Sequence, residues 1–307
     1  MIDQIEQSLI GALGKENVLS GEPMSRHVSF QIGGPADYFI TPADREGLKS
    51  AIRICRDAGL PFFIFGNGSN LLVSDEGYRG AVIQLCRNCK SVTVNGDEIH
   101  AQAGSSLARV SAAARDAGLA GMEFAAGIPG TVGGAVYMNA GAYGGEISQV
   151  LAKVTTLSTD GNFAEYSSEE MEFSYRSSRI RRTGEIVWEA VFRLSRGEKD
   201  EIAARMLELA RMRNEKQPLE YPSAGSTFKR PEGYFAGKLI MDAGLKGFRI
   251  GGAEVSRKHS GFIINAGGAT AMDVYRLMAH VRMTVFRKYG VVLMPEVRLL
   301  GEFREHP

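Results

Sequence analysis

The stretch 121–145, GMEFAAGIPGTVGGAVYMNAGAYGG, limits what this chain can fold into more than any other. Eight of its 25 residues are glycine, and nothing from 124 to 145 carries a charge. Glycine is costly to order and packs no side chain, so a run this dense points to a backbone lying against something flat, bulky or anionic. The 22 uncharged residues are long enough for a membrane span, but seven glycines, Pro129 and Asn139 leave too little apolar side chain for one. A tightly packed glycine turn in an ordinary core is the remaining alternative. The reading favoured here is the wall of a cofactor site.

Composition narrows the partners. At 307 residues the chain is long enough for about two domains with cores of their own. Glycine stands at 37 residues in 307, well above the roughly 7% of average proteins. Thirty-six basic and 35 acidic side chains leave a net charge of +1, which gives no field to attract nucleic acid. The opening MIDQIEQSLI lacks a basic segment followed by an apolar one, so neither a signal peptide nor a membrane anchor is expected. Cys55, Cys86 and Cys89 form no disulfide framework, which fits a reducing cytoplasm. Cys86 and Cys89 make a CxxC, but it ends one strand and precedes another instead of opening a helix. No further residues with metal-ligand spacing stand nearby, so no metal is expected.

Along the chain, 28–40 reads as two short strands around Gly33-Gly34-Pro35, and Thr41-Pro42 as the start of a helix carrying Leu48, Ile52 and Cys55 on one face. The apolar strand PFFIF then delivers the chain to Gly66-Asn67-Gly68-Ser69-Asn70. Such a turn presents successive backbone N–H groups to a phosphate, although it is not the dinucleotide fingerprint, because Leu71 replaces the third glycine. Asn95-Gly96 predicts a hairpin, and strands follow near 150–158, 163–166 and 185–194. Apolar spacing predicts a long helix over 199–216, and Thr270 with Asp273 predicts a capping box at the start of another that ends at Gly290. The expected fold is α+β, with the main boundary near 198: a two-part unit over 1–198 (about 1–89 and 90–198) and a smaller C-terminal domain over 199–307 whose last strand returns to the first unit.

FGNGSNLLV (65–73), GIPGTVGGAVYMNAGAYG (127–144), FSYRSS (173–178), KQPLEYPSAGSTFKRP (216–231), GKLIMDAGLKG (237–247) and MPEVRLLG (294–301) together resemble the UDP-N-acetylenolpyruvoylglucosamine reductases, in order and spacing, over nearly the whole chain. The resemblance is to the shorter form of that family, which lacks an inserted substrate-covering loop. It implies an FAD-binding unit of the vanillyl-alcohol-oxidase type plus an α/β substrate domain. It also implies reduction of the enolpyruvyl ether of a UDP sugar with FAD and NADPH, in peptidoglycan synthesis.

By the same resemblance, Arg176 stabilises the substrate carboxylate, Ser226 protonates the carbanion-like carbon and Glu296 supports the enol form. Gly66, Asn67, Gly68, Ser69 and Asn70, with Gly127, Ile128, Pro129, Gly130, Thr131, Gly133, Gly134 and Asn139, correspond to the flavin-facing backbone, where a Cβ would intrude. Tyr175, Lys216, Lys229, Arg230 and Lys238 correspond to the nucleotide-sugar side, although Arg230 stands where other members often carry Asn. No histidine occupies the 66–70 loop, so the FAD is expected to be non-covalent. Each catalytic candidate has an ordinary reading too: Arg176 opens a basic run, Ser226 follows a glycine, and Glu296 has Arg298 near it. A flavin-dependent sugar or alcohol oxidase of the same fold, or a non-catalytic relative that no longer binds flavin, is the competing class. A nucleotide-sugar substrate, no nucleic acid, no membrane insertion and a monomer or weak oligomer complete the expectation.

Overall fold

A computed structural model describes residues 4–304. The chain forms two compact units that interleave in sequence. One comprises residues 1–20, 38–67 and 80–213, and the other 21–37, 68–79 and 214–307. The sequence boundary near 198 is a single cut, whereas the second unit also draws on two short segments from the N-terminal third.

The first unit is built on a five-stranded antiparallel sheet in the order Phe163–Ser167, Leu151–Leu157, Ile186–Arg193, Glu98–Gln102 and Val92–Asn95. The Asn95-Gly96 turn closes its edge hairpin with Gly96 at φ +66°, as that dipeptide predicts. Helix Leu107–Asp116 carries Leu107, Val110 and Ala114 on its buried side. Phe62–Phe65 pairs in parallel with Tyr78–Gln84, within a four-stranded sheet that also holds Val18–Pro23 and Pro35–Ile40. Helix Arg45–Asp57 buries Leu48, Ala51, Ile52 and Cys55. Its cap is Asp44, whose carboxylate accepts from Gly47 N at 2.8 Å. Thr41, the expected cap, is instead buried with its hydroxyl on the Asn17 side chain. Nor is 28–40 a pair of strands: Gln31 and Gly33 take positive φ, which turns the backbone and leaves only Pro35–Ile40 extended.

The second unit has a four-stranded antiparallel sheet in the order Ser223–Ser226, Phe262–Asn265, Ala253–Val255 and Arg249–Ile250. Helix Ala271–Tyr289 buries Val274, Leu277, Val281 and Val285 in the core of this unit. Its start carries the predicted Thr270–Asp273 capping box and its end is Gly290 at φ +70°. Asp75 reinforces that start, its carboxylate oxygens accepting from Ala271 N at 2.7 Å and Met272 N at 3.0 Å. Leu71–Val73 pairs in parallel with Arg298–Leu300. The short strands Val18–Pro23 and Ala253–Val255 are not apparent in the sequence pattern.

Candidate functional site

Strand Phe62–Phe65 ends at the 66–70 turn. None of the backbone N–H groups of Asn67, Gly68, Ser69 and Asn70 donates to an acceptor among the described residues. Four successive donors left open at a turn form a concavity suited to an anion. Gly68 sits at φ +61°, and a Cβ there would come within 2.6 Å of His27 O. A Cβ on Gly66 would collide with the Thr131 side chain. The Asn67 amide donates to Pro129 O at 3.3 Å, so the turn and the glycine run meet directly.

In the run itself, 131 is the N-cap of helix Val132–Tyr137, which begins against the chain: Val132 N donates to Ser105 O, Gly133 N to Ala103 O, and Gly130 O accepts from Leu107 N. The reason for glycine differs along it. A Cβ on Gly133 would stand 3.0 Å from Ala103 Cβ, and one on Gly145 would press into the Phe124 ring. These glycines, with Gly66 and Gly68, are thus demanded by the protein's own close packing, a reason the sequence reading assigned to the ligand. Gly134 is different: it is exposed, its N–H has no acceptor among the described residues, and a Cβ there would meet only Thr131 Oγ1, at 3.7 Å. Gly127 and Pro129 are exposed, while Ile128 and Gly130 are half-buried. An uncharged wall that turns bare backbone outward beside open N–H donors fits a flat cofactor with a diphosphate.

Arg176 lies in a tight turn closed by Ser174 and Ser177, which exchange backbone hydrogen bonds of 3.1 Å each. Its φ of +54° is one an arginine seldom adopts. Its Nη1 donates to Asn139 O at 3.3 Å and its Nη2 to Gly141 O at 3.0 Å, so carbonyls of the glycine run seat the guanidinium. The Tyr175 ring, itself exposed, lies 5.2 Å from it. Asn139 is buried, with its amide on Ser174 O and Ser148 N. The next residues are anchored as well. Arg179 donates to Glu185, which also accepts from Thr156, Tyr166 and Thr183. Burial alone would raise the Glu185 pKa, but these hydrogen bonds hold it below the ordinary glutamate value.

In the second unit, Ser226 ends a strand with an extra residue: Ser223 pairs with Ile264 and Ser226 with Phe262. Gly225, at φ +73°, forms this bulge and turns the Ser226 side chain outward, while Ala224 and Thr227 on either side are buried. Glu296 adjoins it. Glu296 N donates to Thr227 O at 2.9 Å, Glu296 O accepts from the Asn70 amide at 3.1 Å, and Phe228 bridges Pro295. Ser226 and Glu296, 70 positions apart, are therefore brought onto neighbouring backbone.

The expected substrate cations are dispersed along this unit. Lys229 is half-buried, with its N–H on Met294 O. Arg230 places its guanidinium 3.9 Å over the Phe235 ring and donates to Tyr234 O. Lys216 is exposed at the end of helix Lys199–Lys216. Lys238 is exposed as well and pairs with Asp242 one helical turn on, at 2.7 Å.

Two family models divide the chain: an FAD-binding domain matches residues 36–167, and the UDP-N-acetylenolpyruvoylglucosamine reductase C-terminal domain matches 217–300. UDP-N-acetylenolpyruvoylglucosamine reductase of Clostridium botulinum strain Hall is 53% identical over 290 residues, 94% of each chain. That of Clostridium novyi strain NT is 50% identical over 98% of each chain. The chain belongs to the UDP-N-acetylenolpyruvoylglucosamine reductase family. The crystal structure of such a reductase from Thermus caldophilus superposes with a TM-score of 0.79 at 38% identity, over 92% of this chain and 98% of that one.

One residue beside the glycine run of this reductase is missed by the sequence reading. Arg213, on helix Lys199–Lys216, packs so that a Cβ on Gly127 would stand 3.2 Å from its Cδ. Burial lowers its guanidinium pKa. An arginine one turn after the buried Leu209, on the apolar stripe of that helix, is the signal that could have found it. The cysteines carry no comparable chemistry: burial pushes the Cys55 and Cys89 thiols up to about 11 and raises that of Cys86. Cys86 and Cys89 donate to different carbonyls, Gly66 O and Pro42 O. Among the described residues no cluster of acidic, histidine or cysteine side chains could hold a metal ion, and no helix is long and apolar enough to cross a membrane.

Proposed function

We propose that the chain catalyses the NADPH-driven, FAD-dependent reduction of UDP-N-acetylglucosamine enolpyruvate to UDP-N-acetylmuramate, a step of peptidoglycan precursor synthesis. The observation that carries this reading is that Ser226 and Glu296 stand on neighbouring backbone within residues 217–300, which match the reductase C-terminal domain. A flavin-dependent oxidase of the same fold would share the glycine loops but has no use for a hydroxyl proton donor beside a carboxylate.

When bound, FAD would supply the hydride, drawn from NADPH, for the methylene carbon of the enol ether. The N–H groups of 67–70 would hold the cofactor diphosphate, and residues 127–131 with Gly133 and Gly134 would form the wall along it. As hydride arrives, charge develops on the carbon bearing the carboxylate. Arg176 neutralises that carboxylate from a seat set before substrate arrives, so little reorganisation is needed. The Ser226 hydroxyl, lifted outward by its bulge, gives its proton to the carbon. A hydroxyl is a weak acid in water, yet it suffices opposite so basic a carbon. Glu296 supports the enol form of the carboxylate. Tyr175, Lys216, Lys229, Arg230 and Lys238 serve the UDP end. Regeneration of NADPH in the cytoplasm places the reaction there, and we take the working form to be a monomer or weak oligomer.

Ser226→Ala separates the half-reactions. Flavin reduction by NADPH proceeds at the wild-type rate, while reoxidation by the enolpyruvyl sugar slows at least about 10²-fold, the scale for losing one transition-state partner. Rapid-mixing absorbance measures both. Equal slowing of the two would remove Ser226 from the proton-transfer role.

A further inference from the structure

Asn139 shares the glycine run with the cofactor wall, yet it is buried to 1% exposure and both ends of its side-chain amide hydrogen-bond inside the protein. We infer that Asn139 is a positioning residue for Arg176, a role resting on the reading of Arg176 given above. Three interactions converge on this one position. Its φ of +45° turns the chain just past helix Val132–Tyr137, a conformation asparagine tolerates better than most residues. That turn aims its own carbonyl at Arg176 Nη1, 3.3 Å away, with Gly141 O two residues on receiving Nη2.

The side-chain amide does the rest. Oδ1 accepts from Ser148 N at 2.9 Å, and because a backbone N–H can only donate, this fixes the amide orientation and leaves Nδ2 facing Ser174 O at 3.4 Å. Ser174 opens the turn that holds Arg176 at positive φ, a backbone state unfavourable for an ordinary residue. Such a state persists only where its surroundings over-determine it. Ser178 adds a second tie, its hydroxyl on Tyr137 O at 2.9 Å. Asn139 thus holds the turn at one end and the guanidinium at the other. Removing its amide leaves Arg176 charged but free to leave the geometry in which it meets a carboxylate.

The test is a double-mutant cycle on the FAD-loaded enzyme, using Asn139→Ala and Arg176→Lys. Asn139→Ala alone should slow flavin reoxidation by the enolpyruvyl sugar roughly 10- to 100-fold, with FAD affinity and flavin reduction by NADPH unchanged. In the Arg176→Lys background, where the two-carbonyl seat has no guanidinium to hold, the same substitution should change reoxidation less than about twofold. Full additivity, or weakened FAD binding, would overturn the proposal and return Asn139 to the cofactor. If Arg176→Lys itself leaves reoxidation untouched, it is the underlying reading of Arg176 that fails. Should Asn139→Ala not fold, Arg176→Ala tests the seat with the loop intact. Added guanidinium should restore its reoxidation rate saturably while ammonium does not, and absence of that selectivity would overturn the proposal.

Discussion

At the scale of single residues, Arg176 is held by its neighbours more than by its own preference. The segment after it is fixed by Glu185, 11% exposed, which accepts hydrogen bonds from Thr156, Tyr166, Arg179 and Thr183. Because its folded pKa lies below the unfolded value, the carboxylate contributes stability that is present above the unfolded value and lost as pH falls through the folded one. Glu185→Gln should therefore lower stability at neutral pH by about 2 kcal/mol, and the gap to wild type should close below the ordinary glutamate value of about 4.3. Urea midpoints across pH measure this. A gap constant down to acid pH would show that the charge is not what holds the segment. The motifs that carry Arg176, Ser226 and Glu296 were legible in the sequence. The seat of Arg176 was not, since it joins residues 35 and 37 positions apart through main-chain carbonyls.

At the scale of elements, local chemistry was legible where it is self-contained. Asn95-Gly96 made its hairpin, and Thr270 with Asp273 capped a helix that ends at Gly290. Reading failed where tertiary partners decide: Thr41 gave up its cap to a buried bond with Asn17, and Val18–Pro23 has no alternating pattern to betray it. The glycine run lies between these cases. Its density was a sound sign of close backbone approach, but much of that approach is to Ala103, Thr131 and Phe124. The bulge at Gly225 gives a clean test of element geometry. A Cβ there meets nothing within 4 Å, so Gly225→Ala carries only the cost of φ +73°, roughly 1–2 kcal/mol. Thermal unfolding should show that small loss, and reoxidation by substrate should slow with it as Ser226 is re-aimed. Unchanged reoxidation with the expected stability loss would mean that the bulge does not set the hydroxyl.

At the scale of the molecule, the two compact units are drawn from six stretches of chain. Strand Arg298–Leu300 relies on Leu71–Val73 for its partner, and helix Ala271–Tyr289 on Asp75 to reinforce its start. A cut near 198 separates residues 199–307 from those partners, which lie in the N-terminal third of the chain. The near-neutral balance of 36 basic and 35 acidic side chains suits an enzyme whose recognition of anions is local rather than long-range. The central claim is that this chain passes reducing equivalents from NADPH through a bound flavin to an enolpyruvyl UDP sugar. The visible flavin band of the purified protein, followed without oxygen, tests it most directly. The account predicts bleaching on addition of NADPH and full recovery on addition of UDP-N-acetylglucosamine enolpyruvate, with UDP-N-acetylmuramate formed in step. A band that returns only when oxygen is admitted, or that a sugar or alcohol bleaches without NADPH, would contradict it.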